Sequence, residues 1–289
     1  MRAVFREDEI ATTLRLAMED PLDYATSGVD IDLEGRAVAS LIGSLARSNR
    51  GPGELGAPVD LPGGFGGVIE FGESCLALAT DGVGSKLQIA NEVGRLEGVG
   101  FDCVAMNVND LICVGAEPLA FVDYIAVPVA DPEVHATLGS SLSRACETAR
   151  VTLAGGETAT LPGIVMELDL SGTSLGWFPK GRGITGQNLK EGDVLIGLPS
   201  SGIHSNGYTL VRAVIERSGC SLEDPCPFDP SHHSREIERF SEVDSHPTLA
   251  EVLLNPTRIY VDPVVDIVLE SRRDGGIVGP RCILSLIHI

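Results

Sequence analysis

The stretch Cys75–Glu92, CLALATDGVGSKLQIANE, decides how the fold is read. Cys75 to Ala79 is a short apolar run and Leu87 to Glu92 continues as a helix, so Thr80 to Lys86 (TDGVGSK) between them reads as a strand-to-helix turn. Such a turn exposes backbone N–H groups. Its glycines let a ligand approach the backbone, the helix N-terminus favours negative charge, Lys86 adds a positive point charge and Asp81 suits a hard cation. Those are the parts of a metal and phosphate site. The plain alternative is a glycine turn with a solvated lysine. Two facts weigh against that alternative. The stretch is not a Walker A loop and no Gly-x-x-x-x-Gly-Lys-Ser/Thr occurs anywhere in the chain, and the chain keeps only three lysines, Lys86, Lys180 and Lys190, beside eighteen arginines.

At 289 residues, 43% hydrophobic and 21% charged, the chain has the composition of a globular protein of about two domains. No apolar run approaches the length that crosses a bilayer, and the charged start MRAVFREDEIATTLRLAMED lacks the apolar centre of a signal peptide, so a cytoplasmic location is expected. A net charge of −20 argues against broad binding to nucleic acid or anionic membranes. Any phosphate must then be held locally, by metal and backbone. The seven cysteines are scattered, with no Cys-x-x-Cys pair, and read as reduced thiols rather than as zinc ligands. His232 and His233, in PSHHSRE, read as solvent-facing.

Along the chain, short strands and helices alternate without an internal repeat, the pattern of a mixed α/β protein. Helices are expected over 8–19 and 35–48, and the Gly/Pro-rich stretch 51–67 reads as a loop able to close over a ligand. A strand follows over VIEF. Phe101 to Gly115 (FDCVAMNVNDLICVG) reads as a buried helix on which Asn107, Asn109 and Asp110 need partners; Asp110 is a candidate second carboxylate beside Asp81. PLAFVDYIAV is a strand and Pro132 to Ala149 a helix. LAGGETATLPG reads as a glycine turn presenting Glu157, and VMELDLSGTSLGWF as a long strand. A Pro/Gly-rich shift near Phe178 divides a domain over 1–178 from one over 179–289. The second opens with strand, turn and helix in DVLIGLPSSGIHSNGYTLVRAVIERSG. Ser205 or Asn206 there is a candidate N-cap or a phosphate ligand; a cap leaves His204 unexplained.

SGVDID, PGGFGG, TDGVGSK, VAMNVNDL, GAEPLAFVDY, GGETA, GDVLIGLPSSGIHSNGYTLVR and NPTRIYV occur in this order, and from about Tyr24 to Glu270 the chain resembles the phosphoribosylformylglycinamidine cyclo-ligase (aminoimidazole ribonucleotide synthetase) family. The resemblance implies a two-domain α/β fold, with a first-domain mixed sheet that pairs with a second copy into a dimer barrel and a second-domain sheet packed with helices. It implies ATP-dependent ring closure of formylglycinamidine ribonucleotide to aminoimidazole ribonucleotide, in purine biosynthesis. ATP would phosphorylate the amide oxygen, the ring nitrogen would attack the activated carbon, and phosphate would leave. Asp81, Asp110 and Glu157 would serve Mg²⁺; Lys86 would clamp phosphate and, with Asp81 and His204, serve catalysis. Gly63, Gly64, Gly66 and Gly67 would cover the nucleotide, and Thr80, Gly82, Gly84, Ser85 and Asn109 would line its site. Ser200, Ser201, Gly202, His204, Ser205, Asn206 and Gly207 would contact substrate.

Thr160 stands where the family carries a second acid. From about Asp274 the match stops, so DGGIVGPRCILSLIHI is expected to be non-native, to leave the second domain incomplete and to lower solubility and activity. The related selenophosphate synthetases, thiamine-monophosphate kinases and hydrogenase-maturation dehydratases fit less well, and a non-catalytic nucleotide-binding paralogue is the alternative of a different class. With Lys86 in an open turn, Lys86→Ala is expected to lower turnover far more than stability.

Overall fold

The computed structural model of the protein describes residues 22–45, 49–61, 67–226, 247–273, 280 and 282–283. The helix expected over 8–19, Gly63, Gly64, Gly66, His232, His233 and nearly all of the segment from 274 onward lie outside those residues. The chain divides into two compact units, one of residues 1–48 with 207–224 and one of 49–206 with 225–289.

In the smaller unit, helix α1 (Ile31–Leu45) begins four residues before the expected Gly35. Asp30 is the reason, because its Oδ1 accepts the Leu33 N–H at 2.9 Å and so supplies the cap that the acidic SGVDID turn offered.

The larger unit is built on a five-stranded sheet. Its strands are β1 (Gly67–Phe71), β2 (Ser74–Gly82), β3 (Glu117–Val127), β4 (Thr152–Thr160) and β5 (Asp169–Pro179), in the spatial order β1-β2-β5-β3-β4. Only the β3/β4 pair is parallel, and its crossover is a helix, as parallel pairing requires. Strand β2 shows how sequence sets the faces: Cys75, Ala77 and Ala79 are buried while Leu78 and Thr80 are exposed, the two-residue alternation of a sheet covered on one side. Helices α2 (Lys86–Val93), α3 (Val99–Cys113) and α4 (Pro132–Thr148) follow, with Asp131 capping α4 through the Glu133 and Val134 N–H groups. Helix α3 is apolar on most of its circumference and lies buried between the sheet and α4, as the sequence led us to expect. Beyond the sheet come α5 (Tyr208–Ser218) in the smaller unit, and α6 (Leu249–Leu253) and α7 (Val261–Arg273) in the larger.

Two expectations are corrected. GGETAT is not a turn but part of β4, its glycines paired with β3; the Asp123 side chain occupies the place where a Gly156 Cβ would sit, so glycine here serves close packing. DVLIGLP is not a strand: Val194, Leu195 and Ile196 are 83%, 93% and 83% exposed, and among the described residues no strand follows β5 to take up its backbone groups. The second-domain sheet is thus absent from the described residues.

The α3/α4 contact is close enough to make a prediction. A Cβ on Gly100 would sit 2.5 Å from the Leu142 backbone nitrogen, whereas one on Gly139, mid-α4, would meet nothing within 4 Å. Gly100→Ala is therefore expected to destabilise the fold by about 3 kcal/mol, the upper end of overpacking costs, and Gly139→Ala to stabilise it by about 0.5–1 kcal/mol. Urea denaturation of both variants checks this, and equal midpoints would refute the packing account.

Candidate functional site

The turn between β2 and α2 is shorter than the sequence suggested. Strand β2 runs through Asp81 and Gly82, whose N–H donates to Asp81 Oδ1 at 2.7 Å, and Gly84 takes the left-handed backbone (φ 70°) that lets the chain enter α2. Thr80 faces the outer side of the sheet, donating to the Gly172 carbonyl at 2.9 Å and accepting from Thr173 at 3.1 Å. Asp81, Gly172, Asp123 and Gly156 form one row across β2, β5, β3 and β4. Asp123, which sequence reading passed over, therefore shares a sheet face with Asp81, and burial raises its carboxyl above the usual range.

Asp110 is 8% exposed on α3. One turn before it, Asn107 Nδ2 donates to the Asp81 carbonyl at 3.2 Å, holding α3 against the end of β2. Asn107 Oδ1 is buried and has no hydrogen-bond partner among the described residues.

Two expected site residues stand elsewhere. Glu157 pairs with Tyr124, one position beyond the Asp81 row, so strand alternation turns it to the opposite face, three strands or about 14 Å away; it does not join Asp81 within one chain. Asn109 is 2% exposed, with Nδ2 donating to the Arg258 carbonyl at 2.9 Å and Oδ1 accepting the Tyr260 N–H at 3.0 Å; it fastens α3 to the segment before α7 rather than facing a nucleotide.

Lys86 is the largest departure. It is 0% exposed, and its Nζ donates to Asp102 Oδ1 (2.8 Å), the His204 carbonyl (3.0 Å) and the Asn255 carbonyl (2.8 Å). Three N–H groups meet three acceptors, so this ammonium is an internal tie, not an open phosphate clamp. Burial lowers its pKa against the opposing pull of Asp102.

The turn carrying Ser200–Gly207 divides by exposure. Ser201, His204 and Ser205 are buried, whereas Ser200, Gly202 and Asn206 face solvent. The buried members are gripped by the segment NPTRIY (255–260). Asn255 Nδ2 donates to the Ser201 carbonyl at 2.5 Å, Ser201 Oγ to the Pro256 carbonyl at 2.6 Å, and Ser205 Oγ meets Thr257 Oγ1 at 3.0 Å. Tyr260 Oη and Arg258 Nη1 both donate to the Pro199 carbonyl at 2.9 Å. Gly207 (φ 82°) stands at the N-cap of α5.

His204 closes this turn upon itself. Its φ of 65° is left-handed, and its Nε2 accepts the Ser201 N–H at 3.1 Å, which fixes the neutral ring with the proton on Nδ1. Burial first, and the Lys86 charge second, depress its pKa from 6.5 to about 4. The sign follows directly. Between pH 6.5 and about 4 the unfolded imidazole binds a proton that the folded one refuses, so its stabilising contribution is complete above 6.5 and is lost as pH falls through that window. His204→Asn keeps a residue that tolerates left-handed backbone. It is expected to show a shallower loss of stability across that window, and identical slopes in urea denaturations at stepped pH would contradict the neutral-histidine assignment.

Residues 63–178 match the AIR synthase related protein, N-terminal domain, and residues 190–267 its C-terminal domain. Proteins named phosphoribosylformylglycinamidine cyclo-ligase are similar to this chain. The one from Methanosarcina acetivorans is 47% identical over 86% of this chain and 69% of its own length, and that from Methanococcoides burtonii is 46% identical over 87% and 70%. Among solved structures, AaThiL complexed with AMPPCP and TMP is 19% identical, with a TM-score of 0.48 over 80% of this chain and 61% of that one. No helix among the described residues is long and apolar enough to cross a membrane. With both domain families matched and relatives above 40% identity, the chain belongs to the phosphoribosylformylglycinamidine cyclo-ligase family.

Proposed function

We propose that the protein closes the imidazole ring of aminoimidazole ribonucleotide from formylglycinamidine ribonucleotide, consuming ATP and releasing ADP and phosphate. The observation that carries this reading is the 47% identity to a named cyclo-ligase over 86% of the chain, spanning both ligand turns. Residues 1–178 form the ATP and dimerisation domain in this reading, residues 179–289 the second domain, and the enzyme is cytoplasmic.

The donor set fits Mg²⁺ held mainly by phosphate. Asp81 and Asp110 are hard oxygen donors, and among the described residues no group of three or more His, Cys, Asp or Glu forms a cage. A cation that takes one or two carboxylates plus phosphate oxygens needs none. Asp81 and Asp110 would hold Mg²⁺ there, and the ion would supply charge neutralisation for the transferring phosphoryl group. The protein's own part is positioning. Gly82, Gly84 and Ser85 present backbone to the ATP phosphates, and Gly63, Gly64, Gly66 and Gly67 cover the nucleotide. Ser200, Gly202 and Asn206 contact the substrate with Gly207 at the start of α5, while Ser201, His204 and Ser205 hold their turn in shape. Phosphoryl transfer asks for little more than such placement, because in-line geometry and charge neutralisation carry most of its rate. The test is ADP release: it should require formylglycinamidine ribonucleotide together with ATP and Mg²⁺, and ATP binding without substrate-dependent ADP would reverse the reading.

The active form in this reading is a homodimer. On the sheet face away from the helices, Leu78, Val122 and Tyr124 are each more than a third exposed beside half-buried Leu76, Leu175 and Trp177. A contiguous apolar face of that kind suits a second sheet packed upon it. Sedimentation at micromolar concentration should give a dimer, and Val122→Glu a monomer; a wild-type monomer would count against the barrel.

A further inference from the structure

The network around Lys86 has a consequence beyond the reaction itself. Lys86 is the first residue of α2, directly after the short turn that follows β2, and its Nζ reaches the carbonyl of His204, in the middle of the Ser200–Gly207 turn, at 3.0 Å. One ammonium thus joins the nucleotide-side turn to the substrate-side turn. Asp102, from the first turn of α3, is its counter-charge and is 0% exposed. The same Asp102 Oδ1 accepts the Thr257 N–H at 2.7 Å and the Thr257 hydroxyl at 2.6 Å, and Thr257 Oγ1 in turn meets Ser205 Oγ. Asn255 contributes from both ends: its carbonyl accepts from Lys86 and its Nδ2 donates to the Ser201 carbonyl. Four segments far apart in sequence, 86, 102, 201–205 and 255–257, therefore meet at one buried carboxylate and one buried ammonium.

A buried ion pair contributes little net stability compared with apolar packing, because desolvation opposes the attraction. Its attested use is to enforce one arrangement among several, since any other leaves a charge unpaired. We infer that Lys86, Asp102, Asn255 and Thr257 are positioning residues that fix the register of the substrate-side turn against the nucleotide-side turn, so that Ser200, Gly202 and Asn206 face the substrate. This inference rests on the cyclo-ligase reading for the identity of the substrate, but not for the mechanical link. The link that can be cut without touching a charge is Thr257, whose hydroxyl bridges the Asp102 carboxylate and Ser205 Oγ. Mutating it leaves both charges paired.

The test compares Thr257→Val, which keeps the shape and deletes the hydroxyl, with Thr257→Ser, which keeps the hydroxyl, both in the full chain and well below their melting temperatures. Thr257→Val is expected to speed amide exchange at Ser201–Asn206 at least tenfold relative to the sheet and to lower kcat/KM for formylglycinamidine ribonucleotide at least tenfold. KM for ATP should stay within twofold, and Thr257→Ser should restore both readouts. Unchanged exchange at 201–206 overturns the inference whatever the enzyme does. So does faster exchange with an unchanged kcat/KM in an active enzyme, or a joint rise in both KM values, which marks a merely structural role. A wild type without cyclisation activity sinks the substrate reading alone, and the exchange experiment then decides the positioning link.

Discussion

Lys86→Met is expected to destabilise the protein by about 3–5 kcal/mol, the cost of stranding a buried carboxylate without its counter-charge. This reverses the outcome that an open turn lysine implies, because Asp102 and Lys86 are each 0% exposed and only 2.8 Å apart. The pair also predicts its own coupling. Removing both charges in Lys86→Met/Asp102→Asn should cost less than the sum of the single changes by more than about 1 kcal/mol, since neither charge is then left alone. Urea denaturation of the four proteins closes the cycle. A single-mutant cost under about 1 kcal/mol, or strict additivity, would mean the ion pair does not hold the two turns.

Asp81→Asn should do the opposite, sparing the fold and stopping the chemistry. The asparagine oxygen can still accept the Gly82 N–H that Asp81 Oδ1 accepts at 2.7 Å, and Asp81 is only half-buried, so stability should change by less than about 1 kcal/mol. Lost instead is the negative charge proposed for the metal, and turnover should fall at least about a hundredfold, the scale of a missing preorganised electrostatic contact at a transferring group. Turnover within tenfold of wild type, at saturating ATP and Mg²⁺, would remove Asp81 from the metal site.

The first half of the fold was legible because its local signals agree with its packing. CLALA is an apolar run that suits a sheet strand, FDCVAMNVNDLIC is apolar on most of its circumference as a helix between sheet and helix must be, and Asp131-Pro132 announces the start of α4. The errors came where partners distant in sequence decide. GGETAT carries turn residues, yet its glycines are required by the Asp123 side chain of a neighbouring strand. Lys86 was read correctly as unusual and wrongly as open, since nothing local shows that residues 102, 204 and 255 converge on it. Asp102 had a signal that went unused. A carboxylate inside FDCVAM on a buried helix needs a partner as surely as Asn107 or Asp110 does, and the chain's rarest cation is the natural one. In Ser201, His204 and Ser205 the polarity was visible but not its direction, because only burial separates the side chains that hold the turn from residues that face solvent.

The central claim is that ATP activates an amide oxygen for ring closure, and the fate of that oxygen tests it most directly. Formylglycinamidine ribonucleotide labelled with ¹⁸O at the formyl amide, turned over with ATP and Mg²⁺, should pass one labelled oxygen into each inorganic phosphate as the ring nitrogen displaces it, with one aminoimidazole ribonucleotide formed per ADP. Unlabelled phosphate, or ADP formed without the ring-closed product, would contradict the account.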